Sequence, residues 1–348
     1  MTIGLAVLTA LLLPRMTSQS SVRLGAFNIQ VFGQSKLADA PTLDVIVQIV
    51  RRYDVLLIQE VRDKRETAIV TLLELVNNGT DTYNATISRR LGRTTSKEQY
   101  AFFYKREHFQ IVDSFHYQDE HDVFEREPFV VLMQGRNNGV GQFSLISSHV
   151  DPDNAPVEIS ALVHVYNESV ARWSINDSLI LGDFNADCSY VPLREWPGIQ
   201  LWTDSRFTWL IDMDADTNVA TKSSCAYDRI VVAGDQLQAL IINGSVGIFK
   251  FDKFYNLTHD EALSVSDHYP VELSLMTSLN TDGKSAATDF YVLPTLHTDR
   301  RSGAMLTDVL STLHTDEKSA AKKFYSLPTT KGYVILLFLL LAQAVHIG

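Results

Sequence analysis

Cysteine is nearly absent from this sequence: Cys188 and Cys225 are the two thiols among 348 residues. Two thiols permit one disulfide at most, and a chain that enters an oxidising secretory route is expected to form it. The alternative is a pair of buried thiols that never react.

Basic residues are also scarce, with 30 Lys and Arg against 41 Asp and Glu and a formal net charge of −11. That balance argues against a protein that coats nucleic acid, because such proteins are usually basic. Two catalytic signatures are missing as well, the Gly-rich P-loop and the G-x-S-x-G elbow. P-loop nucleotide hydrolysis and serine-esterase chemistry are therefore excluded, whereas local binding of a phosphodiester through a metal ion is compatible with the sequence.

The apolar run at the start of the chain, residues 3–13 (IGLAVLTALLL), is too short to span a bilayer, which takes about 20 residues. Small polar residues follow it at 17–21, which is the order of a secretory signal, although the usual basic start is missing. We expect a signal peptide at 1–20. A secretory route agrees with six Asn-x-Ser/Thr sequons, at Asn78, Asn84, Asn167, Asn176, Asn243 and Asn256.

The end of the chain has the order of a GPI-attachment signal. A small triplet beginning at Ser319 is followed by a polar spacer, 322–332, and by the apolar residues 333–342 (YVILLFLLLA). Ser319 is the preferred attachment site, with Ser302 and Ser285 as weaker candidates. A short tail anchor is the alternative. The sequence therefore predicts a protein at the cell surface, held to the membrane by a C-terminal lipid.

An imperfect repeat precedes this tail, because residues 279–295 return with changes at 313–329. Two copies are too few for a stacked solenoid, which needs about three, and a mobile stalk is the better interpretation. The expected organisation is a signal peptide at 1–20, a catalytic domain at 21–276, a stalk at 277–332 and an apolar segment at 333–348.

Several apolar runs typical of buried strands end or begin in polar and ionisable residues. These residues are Asn28, Glu60, His149, Asp183, Asn185, Asp228, Asp267 and His268. Each alone has a structural explanation, such as a helix cap or a satisfied core histidine. Together they indicate a site, because strand ends in α/β folds collect at one edge of the sheet.

The intervals between these runs predict an α/β fold. Helical patterns occupy 41–52, 64–76 and 156–173, and alternating strand patterns occupy 129–133, 142–148, 228–232 and 270–275. We expect a four-layer sandwich, in which two packed, mainly antiparallel β-sheets are flanked by helices.

The residue types at the strand ends narrow the chemistry. Oxygen ligands without thiolates suit Mg²⁺, Mn²⁺ or Ca²⁺ better than Zn²⁺. Two histidines with acidic partners can act as general base and general acid. The set predicts metal-assisted hydrolysis of a phosphate ester.

Four segments carry a resemblance to a known family: LIQEVRD at 57–63, GDFNADCSYV at 182–191, CAYDRIVVAG at 225–234 and SDHYPVE at 266–272. They are similar to the signatures of the deoxyribonuclease I family, in the endonuclease/exonuclease/phosphatase superfamily. The resemblance implies a secreted or surface-anchored, monomeric endonuclease that cuts double-stranded DNA with Mg²⁺ (or Mn²⁺) and Ca²⁺.

The resemblance also implies two acid–base pairs on opposite sides of the scissile phosphate, Glu98 with His149 and Asp228 with His268. Which pair activates water and which protonates the leaving oxygen is left open. The remaining strand-end residues would form the metal and phosphate site, namely Glu60, Asn28, Asp267, Asp183 and Asn185.

Three further residues would contact DNA by the same resemblance: Arg62, Arg126 and Tyr227. Planar guanidinium groups suit contacts with phosphate. Cys188 and Cys225 would form the structural disulfide of the family.

The sequence departs from the family pattern in its predicted DNA contacts. Gln30 stands where an arginine is usual, which should weaken contact with phosphate. Thr94 and Ser96 replace an asparagine and a tyrosine that contact the minor groove. Nearby arginines offer partial electrostatic compensation, or belong simply to a solvated loop: Arg89, Arg90 and Arg93.

Calcium binding and actin binding are two further properties for which this sequence differs from the family pattern. A second disulfide is missing from 114–126, which leaves a less rigid calcium site open at 119–122. Asp216 and Thr217 are calcium candidates, with an exposed acidic turn as the alternative. We expect no tight actin complex, because Ala85 replaces an aromatic contact and a glycan on Asn84 would obstruct the edge strand.

Two kinds of alternative function remain. Another phosphodiesterase of the superfamily, such as an abasic-site nuclease or a sphingomyelinase, is the nearest. A non-catalytic DNA-binding or adhesion module at the cell surface is the second, and the retention of both acid–base pairs speaks against it.

Overall fold

Two six-stranded β-sheets form the centre of the protein, as seen in a computed structural model that describes residues 20–221 and 224–277. The predicted signal peptide up to residue 19, the stalk from 278, the apolar tail and the candidate Ser319 lie outside the described residues. Within the described ranges, no helix combines the length and the apolar character needed to cross a bilayer.

The described part of the chain contains twelve strands, eight α-helices and two short 3₁₀-helices, Pro152–Asn154 and Trp196–Gly198. The strands are β1 (Ser21–Phe32), β2 (Val55–Val61), β3 (Tyr83–Ile87), β4 (Gln99–Lys105), β5 (Phe109–His116), β6 (Phe129–Gly135), β7 (Gln142–His149), β8 (Ser178–Asp183), β9 (Phe207–Trp209), β10 (Asp228–Ala233), β11 (Gly247–Ile248) and β12 (Val271–Met276). The helices are α1 (Gln34–Ala38), α2 (Ala40–Arg51), α3 (Ala68–Asn77), α4 (Ala155–Trp173), α5 (Gln200–Thr203), α6 (Asp235–Leu240), α7 (Phe251–Phe254) and α8 (His259–Val265).

The first sheet has the strand order β11-β12-β1-β2-β4-β3, and the second has the order β5-β6-β7-β8-β10-β9. Each sheet contains one parallel pair, β1 with β2 and β7 with β8, and its other pairs are antiparallel. The predicted sandwich of two mainly antiparallel sheets is therefore confirmed.

Apolar side chains from the inner faces of both sheets form the central layer. Leu57 and Phe102 from the first sheet belong to the same buried cluster as Leu145 and Leu181 from the second. Neighbouring residues on the same strands face outward into two further clusters, one containing residues of α2, α3 and α8 and the other residues of α4. Central strands buried on both faces explain why their sequences read as continuous apolar runs.

Helix α3 begins at Ala68, four residues later than the sequence pattern predicts. The carboxylate of Asp63 accepts the backbone N–H groups of Arg65, Thr67 and Ala68. An aspartate that satisfies several successive N–H groups favours a turn over a helix, and so delays the start of the helix.

Candidate active site

The predicted strand-end residues meet at one edge of the sandwich because of strand direction. The parallel pairs β1/β2 and β7/β8 both end there, with Asn28 opposite Gln59 and His149 opposite Asp183. The antiparallel neighbour β10 begins at the same edge, where Asp228 is opposite Asp183.

Glu98 and His149 form the first of the two predicted pairs. The Oε1 atom of Glu98 lies 2.5 Å from Nδ1 of His149 and 2.8 Å from Nε of Arg126. Only 1% of Glu98 and 7% of His149 is exposed to solvent. Burial opposes ionisation of Glu98, but His149, Arg126 and Arg62 outweigh it and lower the pKa of the carboxyl. Burial also opposes protonation of His149, yet Glu98 raises the pKa of the imidazole above its usual value.

Asp228 and His268 form the second pair. Oδ2 of Asp228, which is fully buried, lies 2.8 Å from Nδ1 of His268. Burial disfavours the charged imidazole, but Asp228 and Asp183 outweigh it and raise the pKa of His268 to about 10. Both histidines therefore present Nδ1 to a carboxylate and leave Nε2 for other contacts, an arrangement that fixes the orientation of the ring.

Each pair takes its two members from different sheets. Glu98 precedes β4 and His268 precedes β12, both in the first sheet, whereas His149 ends β7 and Asp228 begins β10 in the second. The site therefore spans the contact between the sheets.

Asp183 connects the two pairs. Its Oδ2 atom lies 3.6 Å from Nε2 of His149 and 3.6 Å from Nε2 of His268, and it accepts a hydrogen bond of 3.1 Å from the side-chain amide of Asn28. The backbone N–H of Asn185 donates to its other oxygen. The Nε2 atoms of both histidines are therefore brought close to the same carboxylate oxygen.

The residues at this site fit a hard divalent cation. Asp183, Asp228 and His268 offer ligand atoms that all lie within 4.8 Å of one another. Oδ1 of Asp228 and Oδ1 of Asp267 are buried without a hydrogen-bond partner, which is costly unless a cation balances them. Glu60 adds a further carboxylate, whose Oε1 atom accepts from Asn28. An oxygen-rich set of this kind suits Mg²⁺, Mn²⁺ or Ca²⁺.

Unusual backbone geometry at the end of β1 orients Glu60. Gln30 and Val31 have φ angles of 50° and 57°, and the register between β1 and β2 shifts there. As a result the N–H of Val31 donates to Oε2 of Glu60 at 2.9 Å. A β-branched residue with positive φ is strained, and such strain is concentrated at functional sites.

Gln30 is directed at the site although it lacks a charge. Its Nε2 atom donates to Oδ2 of Asp267 at 2.8 Å. Asn185 is held beside Asp183, with its side-chain amide donating to the carbonyl oxygen of Val150 at 2.9 Å.

The predicted DNA-contact arginines lie beside the first pair. Arg62 is 3.6 Å from Oε2 of Glu98, and 26% of its side chain is exposed against 13% for Arg126. Tyr227 lies between the rings of Tyr190 and His268, at centroid distances of 5.3 and 6.3 Å. Tyr190 was not predicted from the sequence.

The nearby arginine cluster is largely neutralised by acidic residues. Arg89 pairs with Glu127, and Arg93 contacts Asp122 and Glu125. These ion pairs join the loop before β4 to the loop before β6, whereas Nη2 of Arg90 donates to the carbonyl of Lys97 at 2.7 Å. Two of the three predicted compensating charges are therefore paired with carboxylates.

The calcium candidates have other contacts in this structure. The buried hydroxyl of Thr217 donates to the carbonyl of Cys225 and accepts the N–H groups of Tyr227 and Asp228. Oδ2 of Asp216 lies 3.6 Å from Nζ of Lys250. Thr217 thus holds the start of β10, and calcium at this place stays a prediction.

Cys188 and Cys225 form a disulfide, which confirms the predicted pairing. The bond joins the segment after β8, which carries Asn185, to the segment before β10, which starts at Asp228.

Lys36 is a site-supporting residue that the sequence did not reveal. Its Nζ atom donates to the carbonyl oxygens of Ile29 and Val265, at 2.5 and 2.7 Å. Burial lowers its pKa to about 8. No pattern in the sequence around this lysine predicts that its side chain bonds two backbone carbonyl groups.

We expect His268 to make stability depend on pH. A pKa raised from 6.5 to about 10 means that its stabilisation is complete below pH 6.5 and is lost as pH rises towards 10. Urea unfolding in a chelating buffer should show stability falling over that window, and His268→Gln should lessen the fall by at least about 1 kcal/mol. The exposed His164, changed to Gln, is the control. Equal pH dependence in all three proteins would contradict this expectation.

The comparisons with known proteins agree with one another. The profile of the Endonuclease/Exonuclease/phosphatase family matches residues 25–268. Deoxyribonuclease gamma of Homo sapiens is 43% identical over 286 residues, which cover 80% of this chain and 94% of that protein. Deoxyribonuclease-1 of Bos taurus is 43% identical over 261 residues, which cover 73% of this chain and 92% of that protein.

Solved structures support the fold alone. The endonuclease/exonuclease/phosphatase from Bacteroides vulgatus superposes with a TM-score of 0.51 at 15% identity, and the match covers 74% of this chain and all of that one.

Proposed function

This chain belongs to the deoxyribonuclease I family of the endonuclease/exonuclease/phosphatase superfamily, and from that membership we propose that it hydrolyses internal phosphodiester bonds of double-stranded DNA. The observation that carries the proposal is the pair of carboxylate–imidazole couples, whose free Nε2 atoms both lie 3.6 Å from Asp183. That geometry allows one imidazole to take a proton from water while the other gives one to the leaving oxygen.

In the proposed mechanism, a divalent cation would be held by the strand-end carboxylates and amides, Glu60, Asn28, Asp267, Asp183 and Asn185, with Asp228 beside them. Once bound it would stabilise the negative charge that develops on the phosphate oxygens. Glu98 and Asp228 orient the imidazoles of His149 and His268, and hold each ring by Nδ1. Arg62 and Arg126 contact neighbouring phosphates, while Tyr227 and Tyr190 offer ring faces to the DNA.

The experiment that tests this function is nicking of supercoiled plasmid by the full chain expressed through a secretory host. Conversion to open circles with Mg²⁺ and Ca²⁺, abolished by EDTA, would support a DNA endonuclease. A duplex with one abasic site and vesicles of sphingomyelin are the comparison substrates. Preference for either would favour another phosphodiesterase, and binding of DNA without cutting would favour the non-catalytic alternative.

We also propose passage through the secretory pathway and a lipid anchor at the cell surface. The disulfide supports this proposal, as do the sequon asparagines, of which Asn84 is half-buried and the other five are exposed. A phosphatidylinositol-specific phospholipase C tests the anchor. It should release the wild-type protein from cells, and this release should be lost in a variant at Ser319.

Tight actin binding is not expected, because Asn84 lies on the edge strand β3.

Gln30→Arg should strengthen DNA binding. A guanidinium in place of the amide would add one charged contact at the mouth of the site, so that KM falls about five-fold, equivalent to about 1 kcal/mol. The dependence of log KM on log salt should steepen by about 1. Gln48→Arg, which adds the same charge on the exposed face of α2, is the matched control. An unchanged salt slope would show that position 30 does not face DNA phosphate.

A further inference from the structure

Glu158 is a buried carboxylate that does not reach the reacting groups. It lies in the first turn of α4, and 1% of the residue is exposed. Its Oε1 atom accepts the backbone N–H of Glu125 at 3.0 Å, and its Oε2 atom accepts the backbone N–H of Asp151 at 3.3 Å. One side chain on a 19-residue helix therefore holds two separate loops.

One loop carries Arg126, and the other directly follows His149, the last residue of β7. Glu125 directly precedes Arg126, and Asp151 lies two residues after His149. The segments at 124–128 and 150–151 contain no helix or strand. The direct bond between them, from Nη1 of Arg126 to the carbonyl of His149, is long at 3.4 Å. The side chains of Arg126 and His149 meet at Oε1 of Glu98, and helix α4 is a second link, which joins the backbones of the two segments through Glu158.

Holding the side chain of Glu158 in this buried position costs free energy. Burial raises the pKa of Glu158 to about 7 in spite of its two N–H bonds and the nearby Arg126. The first turn of a helix favours negative charge, which offsets part of that cost. An apolar residue would avoid the cost, but it would leave both N–H groups without an acceptor.

From this geometry we propose that Glu158 is a positioning residue, which sets the placement of Arg126 and His149 around Glu98 and so governs the rate of the chemical step. The inference rests on the proposed function. It predicts that the first acid–base pair loses alignment when Glu158 cannot accept both N–H groups, while the metal site in the other half is unaffected. A misplacement of about 1 Å in such a group is enough to lower a rate about 100-fold.

The test compares Glu158→Gln with Glu168→Gln, the same change on the same helix at a side chain that pairs with Arg172 near the surface. Glu158→Gln should lower kcat for plasmid nicking about 10- to 100-fold, with the Mg²⁺ midpoint unchanged within two-fold. Glu168→Gln should match the wild type. A normal kcat per folded molecule in Glu158→Gln would overturn the proposal, whatever its thermal stability.

A double-mutant cycle separates positioning from general stability. Because part of the effect passes through Arg126, Glu158→Gln should lower kcat by a smaller factor in an Arg126→Ala background than in the wild type, whereas independent effects would multiply. Should Glu158→Gln fail to fold, Glu158→Asp takes its place. Its shorter side chain keeps the charge and reaches one loop, so that a smaller loss of kcat with an unchanged Mg²⁺ midpoint is expected.

Hydrogen exchange provides a readout that needs no activity. In Glu158→Gln, the amides of Glu125 and Asp151 should exchange faster while those of β7 and β8 keep their protection. A wild-type chain that leaves every DNA substrate intact would refute the proposed function. Unchanged exchange at these two amides would refute the inference about Glu158.

Discussion

Replacing His149 with alanine is expected to lower the rate of plasmid nicking about a thousand-fold, because positioned proton transfer contributes about 100- to 10,000-fold. The imidazole lies 2.5 Å from Glu98 and faces Asp183 with its other nitrogen, which is where a group that transfers a proton is expected. The fold should survive, since Glu98 keeps its ion pairs with Arg126 and Arg62. Nicking rates and thermal melting of the variant check both statements.

His164→Ala is the matched control, because it removes an exposed imidazole from α4. A His149→Ala protein that is folded and nicks within ten-fold of the wild type would exclude His149 from the chemistry. A p-nitrophenyl phosphodiester then separates the two histidines, since its leaving group departs without being protonated. His149→Ala and His268→Ala are compared on this ester. The variant that recovers activity has lost the general acid, and the variant that stays inactive has lost the general base.

Removal of the disulfide is expected to have the largest effect on stability. Changing both Cys188 and Cys225 to serine frees a loop with a sequence separation of 37, which the chain-entropy relation values at about 4 kcal/mol. The urea midpoint should fall accordingly, and the dependence on denaturant should rise, because the unfolded chain exposes more surface without the cross-link. Equilibrium unfolding of the variant beside the wild type measures the difference.

Reduction provides the control for the disulfide prediction. Dithiothreitol should bring the wild-type protein to the stability of the double variant and should leave that variant unchanged. A loss below about 1 kcal/mol would mean that the surrounding contacts hold these segments without the bond. Two such contacts are visible: Asp187 accepts the N–H of Ala226, and Phe184 donates its N–H to the carbonyl of Tyr227.

The strand-end residues could be predicted from the sequence because a strand pattern also specifies direction. Once β1, β2, β7 and β8 are recognised, their ends are expected to share an edge, and Asn28, Glu60, His149 and Asp183 lie at or near those ends. Asp228, which begins β10, and His268, which precedes β12, could be assigned on the same grounds. The fold class and these candidates needed local patterns, whereas Glu98 and the pairing of acids with histidines came from the family resemblance.

Other features depend on contacts between distant loops, which a local pattern does not contain. Arg93 was expected to attract DNA, but it lies against Asp122 and Glu125, which are about 30 positions away. Glu158 reads as an ordinary polar residue at the start of a helix, and only the packed structure shows that two loops end on it. The late start of α3 has a similar cause over a shorter distance, because the carboxylate of Asp63 accepts the backbone N–H groups of Thr67 and Ala68.

Each proposed acid–base pair takes one member from each sheet. Activity is therefore expected only when the two sheets are packed against each other. Neither sheet alone contains a complete proton-transfer pair, and a separation of the sheets by a few ångströms would disable both pairs at once. During heating, loss of cutting should coincide with the opening of the layer between the sheets, ahead of any melting of the helices outside it.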